Sequence, residues 1–160
     1  MMEWTDGFRR LFNSQRSHVP RQGPFTIERT GLSPIVVEGP LIAEVAGSRE
    51  RSVHLSAWLD LRLYRDTAHG YVIEIVHRAR TAGARSTHLA YSVPNADDVV
   101  LCLRSYDPAR HLSATLNHPL APQELNYLPN LVWDVFQARV ARLCRQASSA
   151  ESAAWPRVSY

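Results

Sequence analysis

Alternation of apolar and polar positions dominates the middle of the chain. Val53, Leu55, Ala57, Leu59, Leu61 and Leu63 occupy every second position without a break. Tyr71, Ile73 and Ile75 repeat the pattern after the polar segment "DTAHG". A period of two puts one set of side chains on one face of a strand, so these segments predict a long β-hairpin. Setting Arg65 opposite Tyr71 fixes its register. Leu63 then faces Ile73, Leu61 faces Ile75, and Arg62 faces Glu74 on the other side. A slip of one residue would send every leucine to the wrong face, so the pairing is strongly specified. "THLAYSV" at 87–93 adds a strand with Leu89, Tyr91 and Val93 inward. "FTIER" at 25–29 and "IVVEGPLIAEVA" at 35–46 extend the sheet. Gly39-Pro40 interrupts the second of these, and proline cannot donate to a ladder. That strand is therefore expected at an edge or with a bulge.

Elsewhere the period lengthens. Trp4, Phe8, Leu11 and Phe12 fall at helical spacing and predict a short amphipathic helix over 2–14, followed by a proline-broken linker. Residues 95–105 read as a short helix, with a further strand as the alternative. Asn95 suits an N-cap, and Asp97 and Asp98 suit the positive end of a helix. Residues 108–122 carry three prolines and read as loop. From about 123 to 147, Val132, Val135, Phe136, Val140 and Leu143 form one apolar stripe, and Pro129 is a candidate for the first turn. The expected architecture is α+β: an antiparallel β-meander of four to five strands packed on a long C-terminal helix, with short N-terminal and mid-chain helices. The expected organisation is an N-terminal segment and linker (1–22), one domain (23–147) and a C-terminal tail (148–160).

A chain of 160 residues, 45% apolar, can build one core without staples. No run of eighteen apolar residues occurs, so no transmembrane segment is expected. The N-terminus lacks the apolar stretch of a signal peptide, which points to a cytoplasmic location. Cys102 and Cys144 lie in different elements and outside any CxxC pair, so buried thiols are expected. All 18 basic residues are arginine. The codon bias of a GC-rich, bacterial type of genome would explain this. So would a need for bidentate contacts to carboxylate or phosphate. The net charge of +3 is too small to announce a nucleic-acid partner. Its distribution is uneven, basic at the N-terminus, the central hairpin and the last helix, and acidic over 86–138.

Asp60, Arg62 and Glu74 share the polar side of the hairpin and read as a solvated sheet face with a cross-strand ion pair. Trp58 falls opposite Arg78. A next hairpin pairing Arg78 with His88 would make a row of indole, guanidinium and imidazole able to hold an anion, a base or an acidic peptide. His54 is placed opposite Glu44. Arg139 lies inside the apolar stripe of the last helix, where it needs an acidic partner, a ligand carboxylate or a route to water. Binding is therefore assigned to Trp58, Arg78, His88 and Arg139. None of the seven histidines has metal-ligand spacing, and His77 sits on the core face of its strand. No nucleophile elbow, phosphate loop or dinucleotide fingerprint occurs. No catalytic residue, metal or cofactor is expected. The leading expectation is a small protein-interaction module whose partner is another protein or a second copy. An arginine-based nucleic-acid-binding module is the alternative. A ligand or enzyme pocket near His77, Tyr91 and Arg139 is a further one.

Overall fold

The computed structural model describes residues 21–46, 57–79, 85–111 and 121–151. The expected helix over 2–14, His54 and Trp155 lie outside these residues. The described chain is α+β. Its elements are β1 (Phe25–Arg29), β2 (Leu32–Val37), β3 (Leu41–Val45), β4 (Ala57–Asp66), β5 (Gly70–Ala79), β6 (Thr87–Val93), α1 (Ala96–Ser105), a 3-10 turn (Pro108–His111) and α2 (Pro122–Ala150). β3-β4-β5-β6 form a four-stranded antiparallel meander, and β1-β2 form a separate two-stranded hairpin.

The β4-β5 register is the one that the alternation demands. Arg65 pairs with Tyr71, Leu63 with Ile73, Leu61 with Ile75, Arg62 with Glu74 and Trp58 with Arg78. Asp66 and Gly70 close the hairpin. Gly70 has φ +87°, and a Cβ there would lie 2.3 Å from the Pro94 carbonyl oxygen, so only glycine fits.

One face of the meander carries Leu59, Leu61, Leu63, Tyr71, Ile73 and Ile75. These join Val99, Leu103, Phe136, Val140 and Leu143 from the two helices in the main core. Burying residues from both layers is what makes the amphipathic helices form at this length. α1 begins as its sequence requires, with the Asp98 N–H donating to Asn95 Oδ1 at 2.9 Å. α2 starts at Pro122, not at Pro129. Pro122 needs no amide partner in a first turn, and the Ala121 N–H donates to Glu124 at 2.8 Å. Pro129 is instead interior to the helix, where buried Leu128 and Val132 hold the turns on either side of it against the core.

The opposite face of the meander is not wet, which corrects the expectation. Asp60 is 4% exposed and Glu74 5%, and Tyr64, Val72 and Val76 beside them are buried. The β1-β2 hairpin lies across this face. Ile27 and Val37 pack with Tyr64 and Val72 in a second core. The domain thus has three layers: helices, sheet and hairpin. Gly39-Pro40 splits the expected strand into β2 and β3. β3, which follows it, is an edge strand of the meander with an irregular register between Leu41 and Ala43, as the proline implies. Gly39-Pro40 itself is the crossing point between the two β layers. There the Arg65 N–H donates to the Pro40 carbonyl at 2.9 Å. A Cβ on Gly39 would come within 2.0 Å of the Arg65 carbonyl oxygen.

That approach makes a specific demand. Gly39→Ala must push the crossing away from β4, and is expected to destabilise the fold by about 2 kcal/mol or more in urea unfolding. Stability within about 0.5 kcal/mol of the parent would mean that the crossing is not held against β4.

Candidate functional site

The charged groups of the covered face are joined to one another. Arg62 donates from Nε to Glu44 at 2.8 Å and from Nη1 to Glu74 at 3.1 Å. The Tyr64 hydroxyl donates to the same Glu74 oxygen at 2.8 Å, and Arg21 reaches the second oxygen of Glu44 at 2.8 Å. Burial, and then the charge of Glu74, push the Tyr64 phenol above its ordinary range. Burial alone would favour the neutral form of the Arg62 guanidinium. Its bonds to Glu44 and the Glu74 charge reverse that and hold it more firmly protonated. At the hairpin turn, Asp66 accepts from the Glu38 N–H at 3.0 Å and from His69. Burial opposes its ionisation, yet these bonds outweigh burial and keep its pKa below the usual carboxylate value.

Of the four residues expected to bind, the fold brings Trp58 and Arg78 into one register row and leaves His88 out of it. His88 pairs with Val76, two positions from Arg78. The β5-β6 register is set by Leu89, Tyr91 and Val93 meeting Ile75, Ile73 and Tyr71 on the core face, and this forces the offset. Arg78 is committed to Asp60, with Nε donating to Oδ2. His88 is tied through its backbone to the hairpin tip: its carbonyl accepts from the Thr30 N–H at 2.8 Å and its N–H donates to Thr30 Oγ1 at 2.9 Å. Its Nδ1 is buried without a hydrogen-bond partner among the described residues. Glu44 faces Arg62. Arg139 is half-buried and donates from Nη1 to the Leu59 main-chain carbonyl, so helix and sheet are stitched together where the sequence requires a partner for it.

On the helix side, His77 is 4% exposed and its Nε2 shares a hydrogen bond with the Tyr106 hydroxyl. The Tyr106 ring sits 5.4 Å from Phe136 and 6.4 Å from Tyr91, and the His111 ring lies 5.2 Å from His77. Burial, reinforced by His111, depresses the His77 pKa to about 4, and burial pushes Tyr106 above its ordinary range. Both groups are therefore neutral near pH 7. An imidazole this buried offers no face to a substrate. The accessible members of the cluster are Tyr91 and His111 at its rim. Sequence periodicity places His77 on the core face; the role of Tyr106, reached through the turn after α1, has no local signal.

Large apolar side chains remain outside both cores. Leu101 on α1 is 65% exposed, and Leu125 and Trp133 on α2 are 56% and 39% exposed. Leu32 and Val36 on β2 are also exposed. Among the described residues no group of three or more histidine, cysteine, aspartate or glutamate side chains could hold a metal, and no helix is long and apolar enough to cross a membrane. No protein-family model matches the chain, and neither the curated proteins nor the solved structures gave a match.

The His77 environment fixes a pH dependence. The folded state holds this proton only near pH 4, whereas an unfolded histidine takes it up near 6.5. Stability is thus fully present above about pH 6.5 and is lost as pH falls from there towards 4, by about 3 kcal/mol in all. His77→Gln is expected to flatten this limb of a urea-derived stability profile. An unchanged limb in the variant would show that His77 is not the group responsible.

Proposed function

We propose that this chain is a protein-interaction module that does no chemistry of its own. The observation supporting this is how its side chains are allotted. The buried groups able to do chemistry are each bonded within the chain: Glu74 to Arg62 and Tyr64, Asp60 to Arg78, Asp66 to His69, and His77 to Tyr106. The large apolar groups that would seat a partner stand outside it, on α1, α2 and β2. Exposed aromatic side chains such as Trp133 are usual anchors of an interface, exposed leucines add apolar area around them, and charges already engaged within the chain contribute little. The same allotment weighs against an arginine-based site on the sheet, where Arg21, Arg62, Arg65 and Arg78 already serve intrachain carboxylates.

A photo-activatable residue placed at Leu101, Leu125 or Leu32 in the full chain, expressed in its own cell, tests this reading. The expected result is an adduct with a protein of defined mass at one or more of these positions, lost when Trp133→Glu or a neighbouring charge is introduced. An adduct removed by nuclease would replace the reading with the nucleic-acid one. No adduct at any position would overturn it.

A further inference from the structure

The outward face of α2 carries a pattern that the described domain does not use. Leu128, Val132, Phe136, Val140 and Leu143 turn towards the core. At about 100° per residue, the opposite side is centred on Ala138, with Tyr127, Leu131, Asp134, Arg142 and Arg145 close on either side of it. Tyr127, Asp134, Ala138, Arg142 and Arg145 are exposed, and Leu131 is half-exposed. Among the described residues no intrachain ion pair engages Asp134, Arg142 or Arg145. The face is therefore small at its middle, acidic one turn before it and basic after it.

We propose that this face pairs antiparallel with the same face of a second copy of the chain, about a twofold axis level with Ala138. This inference rests on the reading of the chain as an interaction module and names one partner for it. The occupant follows from complementarity along the helix. With the axis at 138, Ala138 meets Ala138, and its small side chain lets the two helices approach closely. Asp134 of each copy falls level with Arg142 of the other. Arg145 falls level with Leu131, along which its stem lies, and its head leans back towards the N-terminus of its own helix, bringing it to the same Asp134. Each contact occurs twice, as an isologous interface requires. Each carboxylate is thus offered guanidinium groups from the other copy. A parallel arrangement would instead oppose Asp134 to Asp134, Arg142 to Arg142 and Arg145 to Arg145, and like-charge repulsion disfavours it. The face holds few apolar groups, so the association is weak, reversible and sensitive to salt.

Sedimentation equilibrium on the full chain over a range of concentrations and salt, with circular dichroism to confirm folding, tests the pairing. The parent is expected to dimerise, more weakly at high salt. Asp134→Arg and Arg142→Asp alone are each expected to weaken the dimer by about tenfold or more, and the double variant Asp134→Arg/Arg142→Asp to recover much of the loss. Recovery cannot come from general damage to the helix. A parent that stays monomeric at all concentrations, or a dimer indifferent to the three variants, overturns the proposal. In that case, cross-linking of Leu101 or Leu125 to a different protein would show that the interaction reading survives without self-pairing.

Discussion

The structure turns on one buried carboxylate. Glu74 lies in the middle of the central strand, between the sheet and the hairpin that covers it, and is 5% exposed. A lone carboxylate there would cost several kcal/mol, so it survives only with partners. Arg62 across the strand pair and Tyr64 beside it both donate to it. Arg62 in turn holds Glu44 on β3, and Glu44 holds Arg21. One chain of bonds therefore runs from the central strand to the sheet edge. It restricts which register and which hairpin placement can be adopted, because any other would leave a charge buried and unpaired.

The edges are managed in the same way. At β3, the Leu41 N–H donates to the Arg21 carbonyl, and the Glu44 N–H donates to Gln146 Oε1 on α2. At β6, Thr30 takes both backbone groups of His88. Each contact removes exposed donors or acceptors that could template pairing with another strand. At the far end, the Tyr71 hydroxyl donates to Glu151, which fixes the end of α2 to the sheet. Polar side chains inside the fold thus serve to dock its layers, and most of the exposed large apolar side chains lie on the helices.

Much of this was legible in the residues. Strict alternation gave the β4-β5 register, the Asn95 cap gave α1, and the apolar stripe gave α2. Reading Asp60, Arg62 and Glu74 as wet failed for a reason visible in hindsight. The run from Tyr71 to Val76 is apolar at every position but Glu74, and continuous runs mark strands covered on both faces. Tyr64 and Val72 on the polar side carried the same message. The misplacement of His88 was a register error: pairing His88 with Arg78 or with Val76 keeps the two faces in phase, and only the core-face contacts decide between them. Tyr106 and its bond to His77 were out of reach, because contact across 29 positions of sequence depends on how the 3-10 turn is packed and on no local pattern.

Native-state hydrogen exchange, read amide by amide, tests the three-layer account most directly. If the hairpin is held on the sheet by the Glu74 layer, the ladder amides of β1 and β2 and the Arg65 amide at the crossing should be protected to nearly the same free energy as those of β4 and β5. Hairpin amides that exchange freely while β4 and β5 stay protected would show that the covered face opens on its own, and would contradict the account.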